Sequence, residues 1–196
     1  MTAKIKLNAA SGGGSFSLQA PSSSANTRVM TLPDTADGTI LTTTNPKAGN
    51  IIQVVTSSQQ TGASQSFSTD SFVNTGLSAS ITPSSSSNKI LVTGYISWYI
   101  NLGANASAEW NFAVCDGSNN ILDSTSADAQ GYRFNELYNQ GGKHPINFLH
   151  SPNTTSSFAY VLKMNAKSSN ATGTLVCQRN GTANNISRIT LMEIAA

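Results

Sequence analysis

Lys89-Ile-Leu-Val-Thr-Gly-Tyr-Ile-Ser-Trp-Tyr-Ile100 is the stretch that decides the fold. Ile90, Val92, Ile96, Trp98 and Ile100 keep a period of two, the repeat that sets side chains on one face of a β-strand. Leu91, Tyr95 and Tyr99 occupy the opposite face. A strand apolar on both faces lies either at the centre of a thick core or along a subunit interface. As a membrane span the run fails. A spanning helix needs about 20 apolar residues, and Thr93, Gly94 and Ser97 interrupt this one.

The same period recurs outward from this strand. In 157–165, Phe158, Tyr160, Leu162 and Met164 point one way and Ala159, Val161, Lys163 and Asn165 the other, which predicts a half-buried strand with a water-tolerant outer face. Near residue 190, Ile189 and Leu191 share one face while Met192 and Ile194 share the other. Two doubly apolar strands in a small domain point to an oligomer, with Leu91, Tyr95, Tyr99, Met192 and Ile194 at the interface. Further strands are expected near 51–56, 72–82, 109–115, 120–124, 146–150 and 173–179, the last strand spanning 186–194. Turn signals separate them: Thr82-Pro83 with Ser84 to Ser87, Asp116-Gly117, Gly141-Gly142, Ser151-Pro152 and Asn180-Gly181. Apolar residues at helical spacing are not sustained anywhere over three turns. The chain reads as all-β, and eight or nine strands in about 145 residues suit a β-sandwich or jelly roll.

Residues 1–48 have a different texture, so the expected division is an extended β arm over 1–48 and a head over 49–196. In the arm Ile5 and Leu7 alternate with Lys4, Lys6 and Asn8, and Phe16 and Leu18 with Ser15, Ser17 and Gln19. Gly12-Gly13-Gly14 and Pro21-Ser-Ser-Ser-Ala lie between such pieces. So few apolar groups do not offset a backbone ordering cost of about 1–2 kcal/mol per residue. An ordered arm must therefore bury them against other chains or against the head.

Composition narrows the function. Of 196 residues, 70 are Ser, Thr or Asn, whereas only 10% are charged, with 11 basic and 9 acidic residues spread without runs. Phosphate-backbone binding needs clustered Lys and Arg, so nucleic acid is a poor partner. No membrane insertion is expected. The start Met1-Thr-Ala-Lys-Ile-Lys-Leu lacks the apolar core of about 7–15 residues that a secretory signal carries. Cys115 and Cys177 fall inside strand-like runs and read as buried thiols of a protein made in a reducing compartment rather than as a disulfide. The Asn-X-Ser/Thr sequons follow from the abundance of these residues and lack a secretory context.

Chemistry is sparse. His144 and His150, six apart on an extended strand, share a face but stand about 20 Å from each other, too far to hold one metal, so neither metal nor cofactor is expected. Asp116 belongs to its Asp-Gly turn and Asp123 to a strand end, while the spacing of Asp128 and Glu136 singles out no carboxylate pair for glycoside cleavage. Phosphate-loop, dinucleotide and nucleophile-elbow motifs are missing. Surface recognition remains. From Asp128 to His144 no strand pattern is visible, and Tyr132, Arg133, Asn135 and Tyr138 stand there as candidate receptor contacts, since Tyr and Arg supply contact area and hydrogen bonds together. The loop from Asn101 to Ser107 is a second candidate.

Three stretches of the arm carry a resemblance: Ser11-Gly-Gly-Gly-Ser-Phe-Ser-Leu-Gln-Ala-Pro21, Asn26-Thr-Arg-Val-Met-Thr-Leu-Pro-Asp-Thr35 and Asp37-Gly-Thr-Ile-Leu-Thr-Thr43. Together with Ile5-Lys-Leu they resemble the N-terminal segments of bacteriophage tail-fibre and related virion proteins. Phe72-Val-Asn-Thr-Gly-Leu-Ser-Ala-Ser-Ile-Thr-Pro83, Lys89-Ile-Leu-Val and Ile189-Thr-Leu-Met-Glu-Ile194 look like the compact jelly-roll heads of such fibres, similar in outline to trimeric tumour-necrosis-factor-like jelly rolls. The resemblance implies a homotrimeric virion protein assembled in the host cytoplasm. In it residues 1–48 bind other virion proteins, and the head meets a host surface glycan or protein. A trimeric capsid decoration protein is the alternative, and a polysaccharide-degrading enzyme a more distant one.

Overall fold

A computed structural model describes residues 4–19, 22–27, 46–59, 63–66, 68–102, 107–124, 132–133, 138–167, 173–177 and 186–196. The chain divides into two units, Met1–Ile40 and Leu41–Ala196. The first unit contains a hairpin of β1 (Lys4–Asn8) and β2 (Ser15–Gln19), paired antiparallel so that Ile5 faces Leu18 and Leu7 faces Phe16. Gly12 and Gly13 turn the chain with φ of 81° and 70°, where a side chain would be strained. Ile5, Leu7 and Leu18 remain 64%, 57% and 38% exposed in the single chain.

The second unit is built from β3 (Ile51–Gln59), β4 (Ala63–Ser66), β5 (Ser68–Ile81), β6 (Lys89–Leu102), β7 (Ser107–Cys115), β8 (Ile121–Ser124), β9 (Tyr132–Arg133), β10 (Tyr138–His150), β11 (Phe158–Lys167), β12 (Gly173–Cys177) and β13 (Ser187–Ile194). Several of these are pieces of one strand position. β12 pairs with Trp98–Leu102 of β6 and β13 with Lys89–Tyr95, so the two follow each other antiparallel to β6. β4 lies beside β12 and β3 beside β13 in the same manner. The first sheet therefore has four positions: β10, β6, β12 with β13, and β4 with β3. The second holds β5, β11, β7 and β8, with β9 paired further along β7.

Counted along the chain, the first position pairs with the eighth, the second with the seventh, the third with the sixth and the fourth with the fifth, all antiparallel. This nested pairing of a long hairpin rolled into two sheets is the jelly roll. The expected all-β jelly-roll sandwich is the observed fold. Its core lies between the sheets, where Ile90, Val92, Ile96 and Ile100 of β6 meet Tyr160, Leu162 and Met164 of β11.

Two expectations need correction. The sequence shows no strand pattern from Asp128 to His144 and marks Gly141-Gly142 as a turn, yet β10 begins at Tyr138 and runs through both glycines. Gly142 lies opposite Trp98, and a Cβ there would come within 3.1 Å of the indole, so the glycine marks a close approach rather than a bend. The alternation predicts a water-tolerant outer face for β11, but Lys163 and Asn165 are only 8% and 6% exposed. The turn after β7 covers this face, and Lys163 Nζ donates to Asn119 Oδ1 at 2.6 Å.

Candidate functional site

The outward face of the first sheet is assembled row by row. Leu149 of β10 faces Leu91 of β6, Leu91 faces Met192 of β13, and Met192 faces Val54 of β3. Directly opposed residues project from the same side of a sheet, so four apolar side chains cross its full width. Leu149 is 53% and Val54 56% exposed, with Leu91 and Met192 half-buried between them. Ile194 beside this row faces Ile51, itself 57% exposed.

Further up the face the character changes. Asn147, Thr93, Thr190 and Thr56 form a polar row, with the two hydroxyls of Thr56 and Thr190 3.3 Å apart. Tyr95 then stands between Pro145 and Arg188, and Lys143 Nζ sits 4.5 Å from its ring centroid. Tyr99 lies between Gly141 and Val176. The charged groups on this face, among the described residues, are the cations of Lys89, Lys143 and Arg188. Leu91, Tyr95, Tyr99, Met192 and Ile194 are thus gathered onto one surface, each half-buried in the single chain. Val54 and Leu149 were not singled out in the sequence. The run Ile51-Ile-Gln-Val-Val lacks clean alternation, and a bulge between Glu193 and Ile194 shifts its register.

The candidate receptor contacts separate into two places. Tyr132 and Arg133 form β9, opposite Ala108 and Ser107 of β7, while Tyr138 opens β10 opposite Leu102 of β6. All three are at the end of the sandwich where β6 leads into β7. Asn135 lies outside the described residues, as do Asp128 and Glu136.

A narrow slot, partly open to solvent, lies between the sheets where β10 and β6 meet β7, β8 and β11. Ile96, Phe112, Val114, Asp123, His144 and Ile146 line it. The His144 ring is 5.3 Å from that of Phe112, and burial holds its pKa below the ordinary 6.5 although Asp123 pulls the other way. His150, on the same inner face of β10, places Nδ1 2.9 Å from the Tyr160 hydroxyl and packs on Phe158. Its pKa is also lowered, by burial against the opposing pull of Asp116. No group of three His, Cys, Asp or Glu capable of holding a metal occurs among the described residues. Both cysteines are free and buried, and Cys177 donates to Met164 Sδ while burial pushes its thiol up to about 12.

Fold and surface together define the molecule's class: a jelly roll with an apolar outward sheet face. No protein-family model and no curated protein sequence matches the chain. Solved structures similar to it include those of infectious bursal disease virus, Gx strain (11% identity, TM-score 0.37, covering 85% of this chain and 42% of that one) and Gt strain (12%, 0.38, 94% and 48%). The VP2 subviral particle of that virus is another (12%, 0.38, 92% and 46%). The chain spans less than half the length of each. The jelly-roll assignment rests on the strand pairing alone.

Proposed function

We propose that this chain is a structural component of a bacteriophage particle, a homotrimeric short tail fibre whose head packs through the outward face of its first sheet. In this reading the head meets the host surface, and the N-terminal segment attaches to other virion proteins. The supporting observation is the row Leu149–Leu91–Met192–Val54, continued by Ile194 and Ile51. A contiguous apolar row on an outward sheet face belongs against protein rather than against water, and burying it contributes about 25 cal/mol for each Å² covered. The polar remainder fits an exposed appendage, because Ser, Thr and Asn bind by hydrogen bonds that salt screens little. The role is structural, with no catalytic step.

The experiment is a paired substitution, Leu91→Glu with Met192→Glu, followed by size-exclusion chromatography with circular dichroism. Both side chains point away from the core, so the β spectrum should persist while the trimer falls to single chains. A variant that keeps its fold and its trimeric mass removes this face from the interface. Antibody against the head should label the tail tip of the virion. Labelling over the capsid shell instead assigns the trimer to decoration, and saccharide release that disappears with Glu136→Gln replaces the structural role by an enzymatic one.

A further inference from the structure

The strand that borders the apolar row on one side, β10, is held by a single ladder. Among the described residues it pairs only with β6, and it carries three backbone weaknesses: Gly141, Gly142 and Pro145, the last without an N–H to donate. Its inner face places two imidazoles between the sheets. His144 lies against Phe112 in the slot, and His150 lies among Phe158 and Tyr160, with ring centroids 5.2 and 5.6 Å away. Its outer face carries Leu149 of the apolar row and Lys143 over Tyr95. The same strand therefore links the two inward-facing, half-buried histidines to the proposed assembly surface.

We propose that β10 is an acid-operated latch: proton uptake by His144 and His150 loosens this edge strand and, through Leu149 and Lys143, releases the assembly surface. The intramolecular half stands on the head alone, while the release of copies rests on the trimer reading. Titratable groups face the two rings from several elements. Asp123 of β8 and the Cys177 thiol of β12 lie on the His144 side. Asp116 of the turn after β7 and the Tyr160 hydroxyl of β11 lie on the His150 side. Glu193 of β13 is in the same inner row as His150, with Ile90 between them, and its carboxylate is taken by Ser84, Asn88 and Gln53. The two nearby aspartates favour the imidazolium, but burial outweighs them at both rings. The Tyr160 hydroxyl, 2.9 Å from His150 Nδ1, pairs with either ring tautomer, so burial is what disfavours the imidazolium there. Both rings thus bind protons more readily in the unfolded chain. Stability of β10 is full above the unfolded value of 6.5 and falls as pH drops below it, with the loss complete once the folded-state pKa is passed.

The test is amide hydrogen exchange of the full chain between about pH 7.5 and about pH 5.5, corrected for intrinsic exchange, with solution mass recorded alongside. Protection over Tyr138–His150 should fall on the order of tenfold more than protection over β11 or β13. In His144→Gln with His150→Gln this extra loss should vanish, and the two single variants should each retain part of it. Equal loss across all strands, or an undiminished loss in the double variant, overturns the latch. NMR titration of the two imidazoles in the unmodified chain decides the matter if the double variant does not fold: midpoints at or above 6.5 overturn the latch, and midpoints below it support it. Loss of β10 protection without a change in mass keeps the latch and removes its link to assembly.

Discussion

Glu193 is the residue on which the closed end of the sandwich depends. Its carboxylate is fully buried and receives four hydrogen bonds: Asn88 Nδ2 at 2.6 Å, the Ser84 backbone N–H at 2.7 Å, Ser84 Oγ at 2.8 Å and Gln53 Nε2 at 2.7 Å. Burial is the largest single influence and raises its pKa, but the hydrogen bonds together outweigh it and leave the group below its ordinary 4.5. A depressed carboxylate stabilises the fold above the unfolded value, and this contribution drains away as pH falls through 4.5 toward the folded-state pKa. Glu193→Gln directs an amide N–H₂ at a ring of donors and should cost about 1–3 kcal/mol near neutrality. Urea midpoints at stepped pH should then show a shallower acid limb in the variant than in the parent chain. The carboxylate ties β13, β3 and the Thr82–Asn88 turn into one unit, and Ala196 N–H donates to Asn88 Oδ1 in the same cluster. Its place was visible in the alternation, since Glu193 follows Ile189 and Leu191 on the inward face. The partners, 105 to 140 residues away in the chain, were not.

At the scale of the element, β5 and β11 lose register between Val161 and Lys163, where Asn74–Ser78 carries extra residues and Gly76 takes φ of 85°. The bulge leaves ladder groups without strand partners, and Thr75 supplies them. Its Oγ1 donates to the Leu162 carbonyl at 2.9 Å and accepts the Leu77 N–H at 3.2 Å, with the residue 1% exposed. Thr75→Val keeps the shape and removes both bonds, so unfolding in urea should register a loss of about 1–3 kcal/mol. Long strands with clean alternation, β6, β11 and β13, were legible because burial on one face enforces the period of two. The short pieces β4 and β9 were not, since Ala63–Ser66 and Tyr132–Arg133 hold too few apolar residues to carry a period. Gly141-Gly142 misled for a physical reason: glycine signals both a turn and a close approach, and the Trp98 ring that distinguishes them arrives from another strand. Gly94 in β6 is a second such approach, where a side chain would collide with the Arg188 carbonyl of β13.

For the whole molecule, the nested pairing of eight strand positions brings β6 and β13 side by side across about 100 residues of sequence. That juxtaposition turns two separately readable amphiphilic strands into one surface. That Leu91 and Met192 face outward was legible in the sequence because each breaks the alternation with an apolar residue on the face away from the core, whereas the widening of the row by Leu149 and Val54 depended on the register of β10 and β3. The candidate receptor residues were less legible, since Tyr132, Arg133 and Tyr138 fall in two sheets and loop composition carries no register. The hairpin in the first unit also leaves apolar side chains exposed in the single chain. Ile5 and Leu7 pair across to Leu18 and Phe16, and a two-stranded hairpin is marginally stable in water by itself. Everything about assembly therefore turns on whether one copy suffices. Multi-angle light scattering of the intact chain over a hundredfold range of concentration answers this most directly. A trimer has a mass three times 20.5 kDa, the expected result, and a particle of 20.5 kDa at every concentration contradicts it.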